Sequence, residues 1–123
     1  MLFRSFVLSA TLPRAVGQQK ALELLYTGRR ITGEEAFAIG LADRLAPSGG
    51  AREVAHELAV EIARSAPLAV QSIRRTMRQG LEDQVRSVIA RERQEQASLR
   101  TTEDWKEGVK AMAERRLPDF KGR

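Results

Sequence analysis

Along most of this chain apolar residues recur at helical spacing, and each such segment is closed by a residue that stops or starts a helix. Ala21, Leu24 and Leu25 share one side of 17–27, and Gly28 follows as a C-terminal stop. Thr32-Gly33-Glu34-Glu35 has the form of a capping box, in which the Thr32 hydroxyl and the Glu35 carboxylate each satisfy an orphan amide; Gly40 ends the short helix it begins. Val54, Leu58 and Ile62 at i, i+4 and i+8 predict a helix over 51–65. Ser65-Ala66-Pro67 breaks it, with the proline suited to the first turn of the next helix, over 68–79, which Gly80 closes. The longest helix is predicted at 81–99, where Leu81, Val85, Val88 and Ile89 form a stripe that turns polar at Glu92 and Glu95. Thr101 or Thr102 caps the last helix, with Trp105, Val109 and Met112 at i, i+4 and i+7, and Pro118 is expected to stop it. Only 41–46 reads as extended. The expectation is an all-α structure from Gly17 onward, with at most that one extended piece.

Composition agrees with helices. Among 123 residues, 42% are hydrophobic but only 5% aromatic, so any interior is built from Ala, Leu, Val and Ile. A chain of this length supports one small domain. It carries no cysteine, which excludes disulfides, thiolate metal sites and a cysteine nucleophile. Its single histidine, His56, sits beside Glu57 in a helical run and reads as an exposed side chain, so no metal site is expected. No apolar stretch is long enough to span a membrane, and the cytoplasm is the expected compartment.

The formal net charge of +5 permits phosphate-bearing partners without requiring them. Along 82–95 the charges alternate in sign, as on a solvated helix face with local ion pairs. Arg74, Arg75 and Arg78 form the densest basic patch, but no aromatic residue interleaves to stack a base, so no nucleic-acid partner is expected. The paired carboxylates Glu34/Glu35, Glu82/Asp83 and Glu103/Asp104 all stand at predicted helix starts, where the helix stabilises them as anions. None suits general acid–base work. No Ser-His-Asp set and no glycine-rich phosphate loop is present.

A particular series of short matches carries more information than any one motif. Leu12-Pro13-Arg14-Ala15-Val16-Gly17 is followed by Ala21-Leu22-Glu23-Leu24-Leu25-Tyr26-Thr27-Gly28-Arg29-Arg30, by Glu34-Glu35-Ala36, and by Ile39-Gly40-Leu41-Ala42-Asp43-Arg44-Leu45-Ala46-Pro47. Near the other end come Thr102-Glu103-Asp104-Trp105-Lys106-Glu107-Gly108, Ala113-Glu114-Arg115-Arg116 and Pro118-Asp119-Phe120-Lys121-Gly122-Arg123. In that order and spacing the series resembles the C-terminal half of the enoyl-CoA hydratase/isomerase (crotonase) family. The resemblance implies the helical C-terminal portion of a crotonase-like α/β fold, without the β/α spiral that holds the oxyanion-hole amides and acid–base glutamates. No residue here matches those catalytic groups. It further implies acyl-CoA as the substrate of the complete enzyme, no separate cofactor, and a homo-oligomer of the trimer type. Phe120 and Lys121 match a terminal pair that in several members lies near the CoA of a neighbouring subunit, with the ring suited to adenine and the ammonium to a phosphate. Leu81, Val85, Val88, Ile89, Trp105, Val109 and Met112 match the oligomerisation region, and 80–123 is expected as a terminal helical hairpin.

Residues 12–123 are thus expected as the family-like segment. The family's Gly-Gly pair before the Leu-Pro-Arg run is replaced by Val7-Leu8. Residues 1–11, with Arg4, Ser5 and Ser9 and no acidic residue, superficially resemble a presequence and are expected to be a non-native or alternative start, poorly determined in structure. The expected function is a piece of an enoyl-CoA hydratase/isomerase, inactive alone. The alternative is a small helical oligomerisation module without catalysis.

Overall fold

A computed structural model describes residues 7–123; residues 1–6, part of the stretch expected to be an alternative start, lie outside the described residues. Among the described residues every regular element is an α-helix: α1 (Leu8–Val16), α2 (Gln18–Thr27), α3 (Gly33–Ala38), α4 (Ala51–Ala63), α5 (Pro67–Met77), α6 (Leu81–Leu99) and α7 (Glu103–Glu114). The all-α expectation holds. Residues 41–46 form bends and irregular chain, not a strand.

Most boundaries follow from local chemistry. Gly28 closes α2 in the left-handed conformation (φ 60°), its amide donating to Leu24 O at 2.9 Å. Thr32 caps α3 by accepting from the Glu35 amide at 3.2 Å. The capping box is only half formed, because the Glu35 carboxylate turns to the Arg29 guanidinium instead of back to the helix start. A full positive charge is a stronger partner for a carboxylate than a neutral amide. Pro67 takes the first turn of α5, and Gly80 (φ 74°) separates α5 from α6. Of the two candidate threonines, Thr102 caps α7, accepting from the Trp105 amide at 3.1 Å. α7 does not run on to Pro118. Arg115 leaves it in the left-handed region (φ 55°), and the chain turns back there.

α1 corrects the expectation that helix begins at Gly17. Pro13 lies inside it and removes one amide donor, which costs an isolated helix roughly 3 kcal/mol. Packing outweighs that cost. Close helix–helix approach is concentrated where α1 meets α2 and α6. Ala10, Leu12 and Ala21 are three of the four buried hydrophobic residues of the described chain, and the small side chains let the backbones of α1 and α2 come close. α1 is also tied to α6 by polar contacts. Glu92 accepts from the Val7 amide at 2.8 Å and from the Ser9 hydroxyl, giving α1 an N-terminal cap from a distant helix. Arg14 donates to Gln84 Oε1 at 3.1 and 2.7 Å, so the two helices run antiparallel.

Elsewhere the helices find few partners within the chain. The accessible surface is 10240 Å², against about 6,600 Å² for a compact monomer of this mass. On α5 the apolar Leu68, Ile73 and Met77 are 78, 63 and 74% exposed, and Arg74, Arg75 and Arg78 lie in solvent beside them. α6 and α7 meet at their shared turn, not along their lengths, where Arg100 stands 5.5 Å from the centre of the Trp105 ring.

If α1 anchors what tertiary structure there is, Leu12→Ala removes its largest buried side chain. Urea unfolding is expected to show a loss of about 2–5 kcal/mol; an unchanged midpoint would mean that α1 holds nothing together.

Candidate functional site

An open groove of about 1000 Å³ lies between the end of α2, α6, the start of α7 and the C-terminal tail. Tyr26, Trp105 and Phe120 bring aromatic rings to its lining, Val88 an apolar side chain, and Arg91 and Arg123 stand there with the carboxylates of Glu92, Glu95 and Asp104. The rings offer flat faces to a planar ligand, while both guanidinium groups are already paired, Arg91 with Glu95 and Arg123 with Glu103.

The tail forms one wall and is held by polar contacts. Past Arg115 it folds back along α7. The Asp104 carboxylate accepts from the Lys121 and Gly122 amides, each at 2.7 Å, one on each oxygen. In return the Asp104 amide donates to Arg123 O at 3.0 Å. One turn along α7, Glu107 accepts from the Asp119 amide at 3.0 Å and takes the Arg116 guanidinium on both oxygens. Arg123 also pairs with Glu103 at 2.9 Å. The Phe120 ring lies on Gly108, where a Cβ would come to 3.4 Å from ring carbon Cε1. Glu103 and Asp104 were expected only to start a helix; Asp104 is also the tail's main acceptor. The signal in the sequence was an acidic pair at a helix start facing a terminal run rich in Arg and Lys.

Four carboxylates outside the groove are held as anions by their neighbours. The Arg116 guanidinium, helped by the Asp119 amide, holds the Glu107 carboxyl down to about 2. Hydrogen bonding from Lys20, then Arg29, lowers Glu23; Arg29 lowers Glu35; and Glu34 is lowered by its own backbone amide and the Thr32 hydroxyl. Each stays an anion, whereas a carboxylic acid that donates a proton near neutral pH needs its pKa raised. Lys20, Glu23, Arg29 and Glu35 instead form a chain of ion pairs joining α2 to α3. Among the described residues no group of His, Cys, Asp and Glu could hold a metal ion.

Of the two residues matched to CoA contact, Phe120 faces the groove. Lys121 lies on the other side of the tail, its ammonium 2.8 Å from Asp119. The residues matched to oligomerisation divide. Leu81, Val85, Val88 and Ile89 lie half-buried along one face of α6, Trp105 is half-buried, and Val109 and Met112 are 49 and 69% exposed. Val88 and Trp105 share the groove; the others do not reach it. Tyr26, Arg91 and Arg123 were not singled out from sequence, because nothing in their local pattern marks them; only the fold brings them together.

Residues 2–123 match the family model described as enoyl-CoA hydratase/isomerase. The chain belongs to this family. Among curated enoyl-CoA hydratase/isomerase relatives, it is 39% identical over 110 residues to the 2,3-dehydroadipyl-CoA hydratase of Escherichia coli, covering 89% of this chain and 43% of that protein. It is 38% identical over 111 residues to the (E)-benzylidenesuccinyl-CoA hydratase of Thauera aromatica, covering 90% and 43%. The structure superposes on an enoyl-CoA hydratase/isomerase from Pseudoalteromonas atlantica with a TM-score of 0.81 at 30% identity, covering 98% of this chain and 48% of that one. On a carnitinyl-CoA dehydratase from Mycobacterium avium the TM-score is 0.85 at 27% identity, covering 99% and 49%. The chain thus spans under half the length of these family members.

The depressed Glu107 carboxyl makes the tail sensitive to acid. Its stabilising contribution is complete above the ordinary value of 4.5 and is lost as pH falls from there through about 2. Trp105 fluorescence, read from the groove that the tail walls, is expected to change over that range. Glu107→Gln should remove this component; a Gln variant with the same acid transition would assign it elsewhere.

Proposed function

We propose that this chain serves as the C-terminal helical portion of an enoyl-CoA hydratase/isomerase acting on acyl-CoA thioesters, and that it has no turnover alone. In a complete family member two backbone amides hold the thioester oxygen as it becomes an enolate, and glutamates move protons or water. The reading rests chiefly on coverage: nearly the whole chain matches the family, yet it spans under half of each relative. What this portion would contribute is the CoA-facing pair Phe120 and Lys121, together with apolar helix faces for subunit contact in a trimer-type assembly. No helix among the described residues is long and apolar enough to cross a membrane, and the cytoplasm is the compartment we propose.

A helical oligomerisation module without catalysis is the second reading, favoured by the bare side chains of α5 and α7. Burying each large apolar side chain contributes roughly 1.5–3 kcal/mol, so several together drive association.

The purified chain is expected to show no hydration of crotonyl-CoA. Mixing it with the part of the Escherichia coli hydratase that it does not match is expected to produce turnover. Turnover by the chain alone, abolished by one carboxylate substitution, would overturn the proposal; no turnover in the mixture would favour the interaction module. Light scattering across a dilution series is expected to detect association that Trp105→Ala and Val88→Asp weaken. A monomer indifferent to both changes would remove those faces from the assembly.

A further inference from the structure

The tail is fixed by a small set of residues on one face of α7. Asp104, Glu107, Gly108 and Ala111 stand at i, i+3, i+4 and i+7, which places them in a row along the helix. Each makes a different contribution. Asp104 binds two successive amides through separate oxygens, which sets the direction in which the peptide between Lys121 and Gly122 lies. Glu107 holds the approach, through Arg116 and the Asp119 amide. Gly108 leaves bare backbone as a seat for the Phe120 ring. Ala111 is 1% exposed at the end of the row.

This arrangement fixes the backbone of Phe120 and Lys121 while leaving both side chains reachable. The ring is 40% exposed in the groove wall. The Lys121 ammonium is held only by Asp119, in an ion pair whose side chains are 56 and 74% exposed. Such a pair is weak and easily exchanged for a phosphate. The contacts that do not change on binding are those made by Asp104 and Glu107.

We infer that Asp104, Glu107 and Gly108 are positioning residues that fix the Phe120 ring in the groove wall for the adenine of CoA and leave the Lys121 ammonium, across the tail, to swing from Asp119 to a phosphate. The inference rests on the reading of Phe120 and Lys121 as CoA contacts. Asp104 and Glu107 do not touch the ligand; they act through the tail backbone, ordering it before binding so that less conformational freedom is lost when the ligand arrives.

Calorimetric titration of the full chain with adenosine 3′,5′-bisphosphate tests this, alongside amide hydrogen exchange and circular dichroism. Phe120→Ala and Lys121→Ala are expected to weaken binding. Asp104→Ala is expected to speed exchange at the Lys121 and Gly122 amides by about tenfold and to weaken binding by about tenfold, with helix content retained. Asp104→Asn keeps one acceptor oxygen and should fall between Ala and the native residue. Gly108→Leu separates positioning from stability: leucine favours helix over glycine, so α7 should be strengthened while the displaced ring weakens binding. Glu107→Gln gives a second probe of the latch should Asp104→Ala fail to fold. Native affinity in Gly108→Leu and in the Asp104 or Glu107 variants, with Phe120→Ala and Lys121→Ala impaired, would overturn the inference and leave the CoA reading standing. Absence of bisphosphate binding by the native chain, or indifference to Phe120→Ala and Lys121→Ala, would overturn both.

Discussion

The contact on which the tertiary structure depends is the seating of α1 against α2 and α6. Ala10, Leu12 and Ala21 are buried there, and Glu92 and Gln84 bind α1 by hydrogen bonds. Both kinds of contact are needed because each is small. Alanines bury little apolar area, so their value lies in close backbone approach and dispersion contact more than in area removed from water. Exposed hydrogen bonds add modest energy but fix direction, and the Glu92 carboxylate satisfies donors at the start of α1 that its own first turn cannot. Take α1 away and no other helix joins α2 to α6 over an extended face.

A second constraint follows from the surface. Helices of this length are marginal in water on their own and depend on packing along an apolar stripe. Here the stripes exist, but on α5 and α7 they are largely open, and the chain exposes half again the area of a compact protein of its mass. Even so, its helices superpose on two solved family members with TM-scores of 0.81 and 0.85, while on others the value is 0.51 to 0.57. The open stripes of α5 and α7 are where further apolar cover would add burial.

Much of the helical layout could be read from residues alone because it is decided locally. Gly28, Gly80, Pro67 and Thr102 each act within a turn of their own position, and the 81–99 helix has the bounds its stripe implied. What could not be read was decided by distant partners. Pro13 argues against helix in any local reading, and only the packing of α1 overrides it. Glu35 satisfies the capping-box pattern, yet Arg29, six residues away, takes its carboxylate. Pro118 looked like the stop for α7, while Arg115 turns the chain three residues sooner because Glu107 and Ala111 O receive Arg116 there. The family series pointed to Phe120 and Lys121, but which side of the tail each occupies depends on the Asp104 bonds, which span 17 and 18 residues.

α7 and its tail differ in kind from the rest. α1 is held by shape and small side chains, whereas the tail is held almost wholly by carboxylates on amides and guanidinium groups. Ion pairs as exposed as these contribute little one at a time. Collected on one face of one helix they do something an apolar contact would not, because amide-to-carboxylate bonds specify direction as well as proximity. An apolar tail could slide along α7 with small loss; this one has a single register, set by which two amides meet Asp104 and which one meets Glu107. The placement of the Phe120 ring over Gly108 is then a consequence of that register, and the polar row on α7, more than the ring's own hydrophobicity, decides where the aromatic wall of the groove stands.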